Sequence, residues 1–218
     1  MNKATMIVAT LAASALSAAA GTPAPVSTGK APVACPAPMD PCAGPISYNN
    51  VELMYAYTDL DDFNDEANGG VLRFEYSPMN NLYFTGSGEY HEAGDLNMWV
   101  LSGGVGGYVP LTENIHLAAD AGVLWASVDV DSTFDTSASN GYSDDEVGWY
   151  VRPHLRAKWG CLEVHAGAQY SSIDDTGFDE WSAFANLYYQ VSPGWDLAAG
   201  VILSSERTTA TGGVRYRF

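Results

Sequence analysis

Positive charge is scarce in this chain. Of 218 residues only nine are Lys or Arg, against 26 Asp and Glu, which leaves a formal net charge of −17. So acidic a polypeptide cannot gather the basic surface that displaces counterions from a nucleic acid, and DNA and RNA are excluded as partners. Cysteine is nearly absent: Cys35, Cys42 and Cys161 are too few for a disulfide scaffold and lack metal-ligand spacing. Beyond the first twenty residues no apolar run reaches the roughly 18 residues that a membrane helix needs. Any later crossing of a bilayer must therefore be made without helices. No Gly-rich phosphate loop joins a strand to a helix, so nucleotide binding has no support. What the chain does have is 47% hydrophobic and 12% aromatic residues, and that excludes disorder over its whole length.

Lys3 precedes an Ala-rich apolar run that ends in Ala18, Ala19 and Ala20. This pattern predicts a secretory signal peptide over 1–20. Residues 21–46 hold seven of the eleven prolines among small side chains, a composition that predicts an extended linker with no core of its own. Cys35 and Cys42 lie seven positions apart in this stretch and are the candidates for a small disulfide loop in an oxidising compartment. Free or intermolecular thiols are the other reading. If the two do pair, Cys161 is left without a partner.

From Tyr48 onward, apolar and polar residues alternate in short segments, as strands with two unlike faces do. Val51, Leu53, Tyr55 and Tyr57 share one face, opposed by Glu52, Met54, Ala56 and Thr58. Leu72, Phe74 and Tyr76 oppose Arg73 and Glu75, and Val147, Trp149, Val151 and Leu155 oppose Tyr150, Arg152, His154 and Arg156. Ten such segments fit between residues 47 and 218, with eight as the nearest other count. Their connections alternate too. Short turn-like links occur near Asn80, Glu113, Gly160 and Gly194; the links at 59–69, 92–97, 129–146, 174–180 and 204–208 are mostly longer and hold 18 of the 26 carboxylates. Because successive connections of up-and-down strands fall at opposite ends, the molecule should have one blunt end and one acidic end.

Periodicity alone does not say which face is inside. A soluble lipocalin-like barrel turns its apolar face inward, and a membrane barrel turns it outward. Three features favour the membrane. Trp and Tyr cluster at both ends of the apolar faces, where rings with one polar tip suit the headgroup level. Apolar runs of about nine to eleven residues match a tilted strand crossing hydrocarbon. Finally, Gly212, Val214, Tyr216 and Phe218 form an alternating pattern with a closing aromatic.

That last pattern resembles the C-terminal assembly signal of bacterial outer-membrane β-barrels. With the signal peptide and the turn-loop alternation, residues 47–218 look like a small barrel of the OmpA/OmpX and porin-like kind, though with ten strands where the commonest small members have eight. The resemblance implies an all-β, up-and-down antiparallel transmembrane β-barrel in the bacterial outer membrane. It implies insertion by the barrel assembly machinery, lipid and lipopolysaccharide as surroundings, short turns in the periplasm and acidic loops outside the cell.

If lipid lies outside, the polar faces meet in a lumen. Arg73, Arg152, Arg156 and Arg215 would project there with Glu52, Glu75, Glu89, Asp120 and Glu163. A buried guanidinium needs a carboxylate, so these nine predict an ion-pair network that plugs or narrows the bore. The function expected is structural or cell-surface interaction, with at most narrow passive permeability. A porin-like channel for small solutes is the second reading, and an omptin-like or lipid-modifying enzyme the third. The third draws on His91 and the pairs Asp61-Asp62, Asp144-Asp145 and Asp174-Asp175, which read more simply as solvated charge. No catalytic residue or cofactor is assigned. Divalent cations are expected partners of the acidic loops, and the oxygen-rich stretch 129–135 is the weak candidate for one, lacking the Gly and terminal Glu of an EF-hand.

Overall fold

The computed structural model describes residues 42, 44–60, 65–94, 96–130, 142–173, 178–205 and 207–218. The expected signal peptide, Cys35 and most of the Pro-rich stretch lie outside them, as do the pairs Asp61-Asp62 and Asp174-Asp175 and residues 131–135 of the cation candidate.

The alternating segments form ten antiparallel strands: β1 (Asn50–Leu60), β2 (Asp65–Met79), β3 (Leu82–Ala93), β4 (Leu96–Thr112), β5 (Ile115–Val130), β6 (Tyr142–Trp159), β7 (Leu162–Ile173), β8 (Phe178–Ser192), β9 (Trp195–Leu203) and β10 (Arg207–Arg217). Each strand pairs with its sequence neighbours, and β1 pairs with β10 along its whole length to close the barrel. Closure removes both sheet edges, so every strand has a partner on each side and no ladder is left open.

At one end the strands are joined by tight turns. Asn81, Gly160 and Gly194 take the left-handed conformation there, with φ of 69°, 57° and 79°, as two-residue hairpin links require. At the other end β5 and β6 stay paired up to Val130 and Tyr142, so the ladder runs well into the stretch that reads as loop by composition.

The faces are those of an inside-out barrel. Leu53 is 61% and Val123 63% exposed, while Glu52 is 4% and Arg215 1% exposed. Leu53, Phe74, Val151 and Tyr216 point outward, and Arg73 and Arg152 point in, so the soluble lipocalin-like arrangement does not occur. An apolar exterior wrapped around a polar interior is the arrangement of a transmembrane β-barrel. Outward aromatic clusters mark both rims. Tyr90 meets Trp99 at 4.7 Å, and Tyr170 bridges Trp149 and Trp181 at 5.3 and 5.1 Å toward the loop end. Trp195 meets Tyr216 at 4.9 Å toward the turn end.

Candidate functional site

The chemistry-bearing side chains are inside the barrel, in layers that follow from strand parity. Even-numbered residues of β1 face in, and so do odd-numbered residues of β2, β3, β7 and β10 in their central stretches.

Nearest the turn end is an aromatic layer. Residues 44–49 lead into β1, and Ile46 and Tyr48 from this segment are buried against Tyr83 of β3 and Ala118 of β5. The Tyr48 ring stacks on Tyr108 at 4.1 Å, and its hydroxyl lies 3.3 Å from Nδ1 of His116. Burial pushes the Tyr48 phenol above its ordinary range, so it stays neutral. Ahead of this segment, Cys42 is bonded to Cys161 in the β6–β7 turn, with Cα atoms 4.6 Å apart. That corrects the sequence expectation of a Cys35–Cys42 loop. The chain ahead of β1 turns across the barrel and brings Cys42 to a thiol 119 positions away.

Next comes the charge layer, where all nine predicted lumen residues point inward. Arg156 forks to Glu75, with Nη1 donating at 2.8 Å and Nη2 making a shorter contact to the other carboxylate oxygen. Asn50 also donates to Glu75 at 2.9 Å, and Arg156 lies over the Tyr48 ring at 4.1 Å. Arg152 donates to Asp120 Oδ2 through Nε at 3.2 Å, with its Nη2 ion-paired at 3.0 Å to the other carboxylate oxygen, and Tyr83 donates to Oδ2 at 3.0 Å. Arg215 forks to Glu163 at 3.2 and 2.8 Å, gives Nε to Asp196 at 2.7 Å, and sits 3.7 Å over the Tyr188 ring. Arg73 and Glu89 are more loosely joined at 3.7 Å. Glu52 is drawn into no ion pair: its Oε2 is buried with no hydrogen-bond partner among the described residues.

These groups leave a polar cavity of about 40 Å³, lined by Glu52, Arg73, Glu75, Arg156 and Asn186 among others. That is room for roughly three waters. Toward the loop end the wall made by β1, β2, β8 and β9 turns apolar, with Met54, Ala56, Val71, Tyr188 and Ala198 packed together, followed by hydroxyls such as Thr58 and Thr209 at 2.9 Å.

The histidines occupy structural positions. His116 stacks in the aromatic layer, His154 accepts from Nε of Arg156 at 3.1 Å, His165 lies 2.5 Å from Glu163, and His91 is buried 3.7 Å from Glu89. Among the described residues no three His, Cys, Asp or Glu side chains gather as a metal-binding group. Asp196, Arg217, Lys158, Tyr83 and Tyr188 are inward residues that the sequence expectation did not include. Parity carried the signal for each of them. Asp196 stands between outward Trp195 and Leu197, and Arg217, which donates to Asp196 at 2.9 Å, stands between Tyr216 and Phe218.

No protein-family model matches the chain, and no curated protein matches it. Solved barrels do resemble it. Neisserial surface protein A is 13% identical with a TM-score of 0.45, over 79% of this chain and 98% of that one. Ail, the attachment invasion locus protein of Yersinia pestis, is 16% identical with a TM-score of 0.43, over 79% of this chain and all of its own. The KdgM porin in complex with oligogalacturonate is 10% identical with a TM-score of 0.43, over 78% and 99%.

Proposed function

We propose that this protein is a bacterial outer-membrane β-barrel whose role is structural or at the cell surface, and that its bore passes at most very small solutes. The observation that carries this reading is the filled interior. Arg156, Arg215, Glu163 and Tyr83 are each no more than 2% exposed, and their bonds reach across the lumen from β6 to β2, from β10 to β7 and from β3 to β5. A small barrel closed in this way is a platform rather than a conduit. Its working surface is then the acidic loop end, where 18 of 26 carboxylates cluster by sequence. At that surface divalent cations bridge carboxylates to lipopolysaccharide phosphates; without them the two would repel. Val214, Tyr216 and Phe218 face outward at the β10 seam, where the barrel assembly machinery would read them.

The test has two arms. In planar bilayers the folded protein should give no regular single-channel steps, and in vesicles it should bind lipopolysaccharide in a Mg²⁺- or Ca²⁺-dependent way that is lost when residues 131–141, between β5 and β6, are deleted. Reproducible steps that change with Arg156→Ala would replace this reading with the channel. One observation favours that second reading: Arg73 and Arg152 keep 17% and 22% side-chain exposure, as a charged constriction would.

A further inference from the structure

We infer that Cys42 and residues 44–49 form a built-in plug of the turn-end mouth and that the Cys42–Cys161 disulfide is its releasable latch. The topology places the two ends of this segment at opposite walls. β1 and β6 are five strands apart in either direction around the closed barrel, so a chain that leaves β1 and is bonded at the β6–β7 turn must span the opening. Along its course the backbone at Gly44 approaches Nζ of Lys158 on β6, and Ile46 and Tyr48 are buried against β3 and β5. Lys158 is 5% exposed and its Nζ has no hydrogen-bond partner among the described residues. The segment therefore covers a cation that water would otherwise solvate.

Behind the plug lies the polar cavity. Tyr48 roofs Arg156, and Asn50 at the start of β1 holds Glu75, both lining residues of that space. Lifting the segment opens the cavity to the solvent at the turn end, on the side away from the Met54 cluster. Release needs a dithiol reductant. Its thiolate attacks the Cys161 sulfur, which is partly exposed whereas Cys42 is buried, and Cys42 leaves as a thiolate. The second thiol of the reductant then displaces Cys161. The cystine gains two electrons and two protons, and the dithiol becomes a cyclic disulfide. This inference stands on barrel geometry alone and holds whether the loop end binds lipopolysaccharide or the bore conducts.

The test places a reporter thiol in the cavity. Thr85→Cys is introduced into the otherwise native protein and into a Cys42→Ser/Cys161→Ser background, and its reaction with a small cationic methanethiosulfonate is timed in folded, detergent-solubilised barrel. The rate should rise about tenfold when the latch is absent, and further when Tyr48→Ala is added, because opening of the covering segment then limits reaction. Thr209→Cys, on the loop-end side of the Met54 cluster and away from the covering segment, should react at one rate in all backgrounds. An unchanged rate in the latch-free protein would overturn the latch, and an unchanged rate with Tyr48→Ala as well would overturn the plug. A parallel rise at Thr209→Cys would mean that the whole barrel has loosened, and would overturn both.

Discussion

Arg156 is the side chain on which the interior depends most. It joins β6 to β2 through Glu75, stacks under Tyr48 and fixes His154. Removing one member of such a buried pair leaves a naked charge, which costs about 3–5 kcal/mol, whereas replacing both with apolar groups is often close to neutral. Arg156→Met should therefore lower the urea midpoint of the barrel in vesicles strongly, and Arg156→Met/Glu75→Leu should recover most of the loss. A double variant no more stable than the single one would show that the pair does not act as a unit. Parity made the inward position of Arg156 legible, since it alternates with Leu155 and Ala157. Its partner was not legible. Glu75 lies 81 positions away on the far wall, and their meeting depends on lumen geometry that no local pattern encodes. Glu52 shows the same limit in reverse: its face was readable, but that its Oε2 has no hydrogen-bond partner among the described residues was not.

At the scale of the strand, the β1–β10 seam decides whether the barrel closes. Met54 pairs with Gly213 there, and a Cβ on Gly213 would sit 2.1 Å from the Leu53 carbonyl oxygen and 2.6 Å from the Met54 Cα. Both obstacles are backbone and cannot swing aside. Gly213→Val should prevent closure, leaving a protein whose gel migration no longer shifts on heating; an unaltered heat-sensitive band would show that the seam has slack. Strand existence and facing were readable because each apolar run has period two. Strand ends toward the acidic side were not. Asp65, Asp129 and Glu146 read as loop by charge, but a hairpin partner keeps their backbones paired, and once beyond the apolar band a strand has no need of apolar side chains.

For the whole molecule, the cystine is a long-range covalent constraint, joining residues 119 positions apart and tying the chain ahead of β1 to the far wall. On the chain-entropy account a loop near that length is worth about 4–5 kcal/mol. Cys161→Ser should lower resistance to thermal unfolding in detergent without changing strand content by circular dichroism, and an unchanged midpoint would contradict that role. This pairing was hidden from the sequence, where Cys35 is the nearer thiol to Cys42 and nothing local announces that the intervening chain crosses a mouth. The membrane-facing exterior was legible for the opposite reason: it repeats in every strand, so ten weak signals add.

All six tryptophans, at 99, 125, 149, 159, 181 and 195, occupy outward strand positions, and none is in the lumen. Their fluorescence in vesicles therefore reports directly on which face meets hydrocarbon. Brominated acyl chains should quench most of the emission, with shallow bromines more effective than deep ones because the rings lie in two belts, while aqueous iodide should have little effect. Emission indifferent to brominated lipid and freely quenched by iodide would contradict the inside-out barrel.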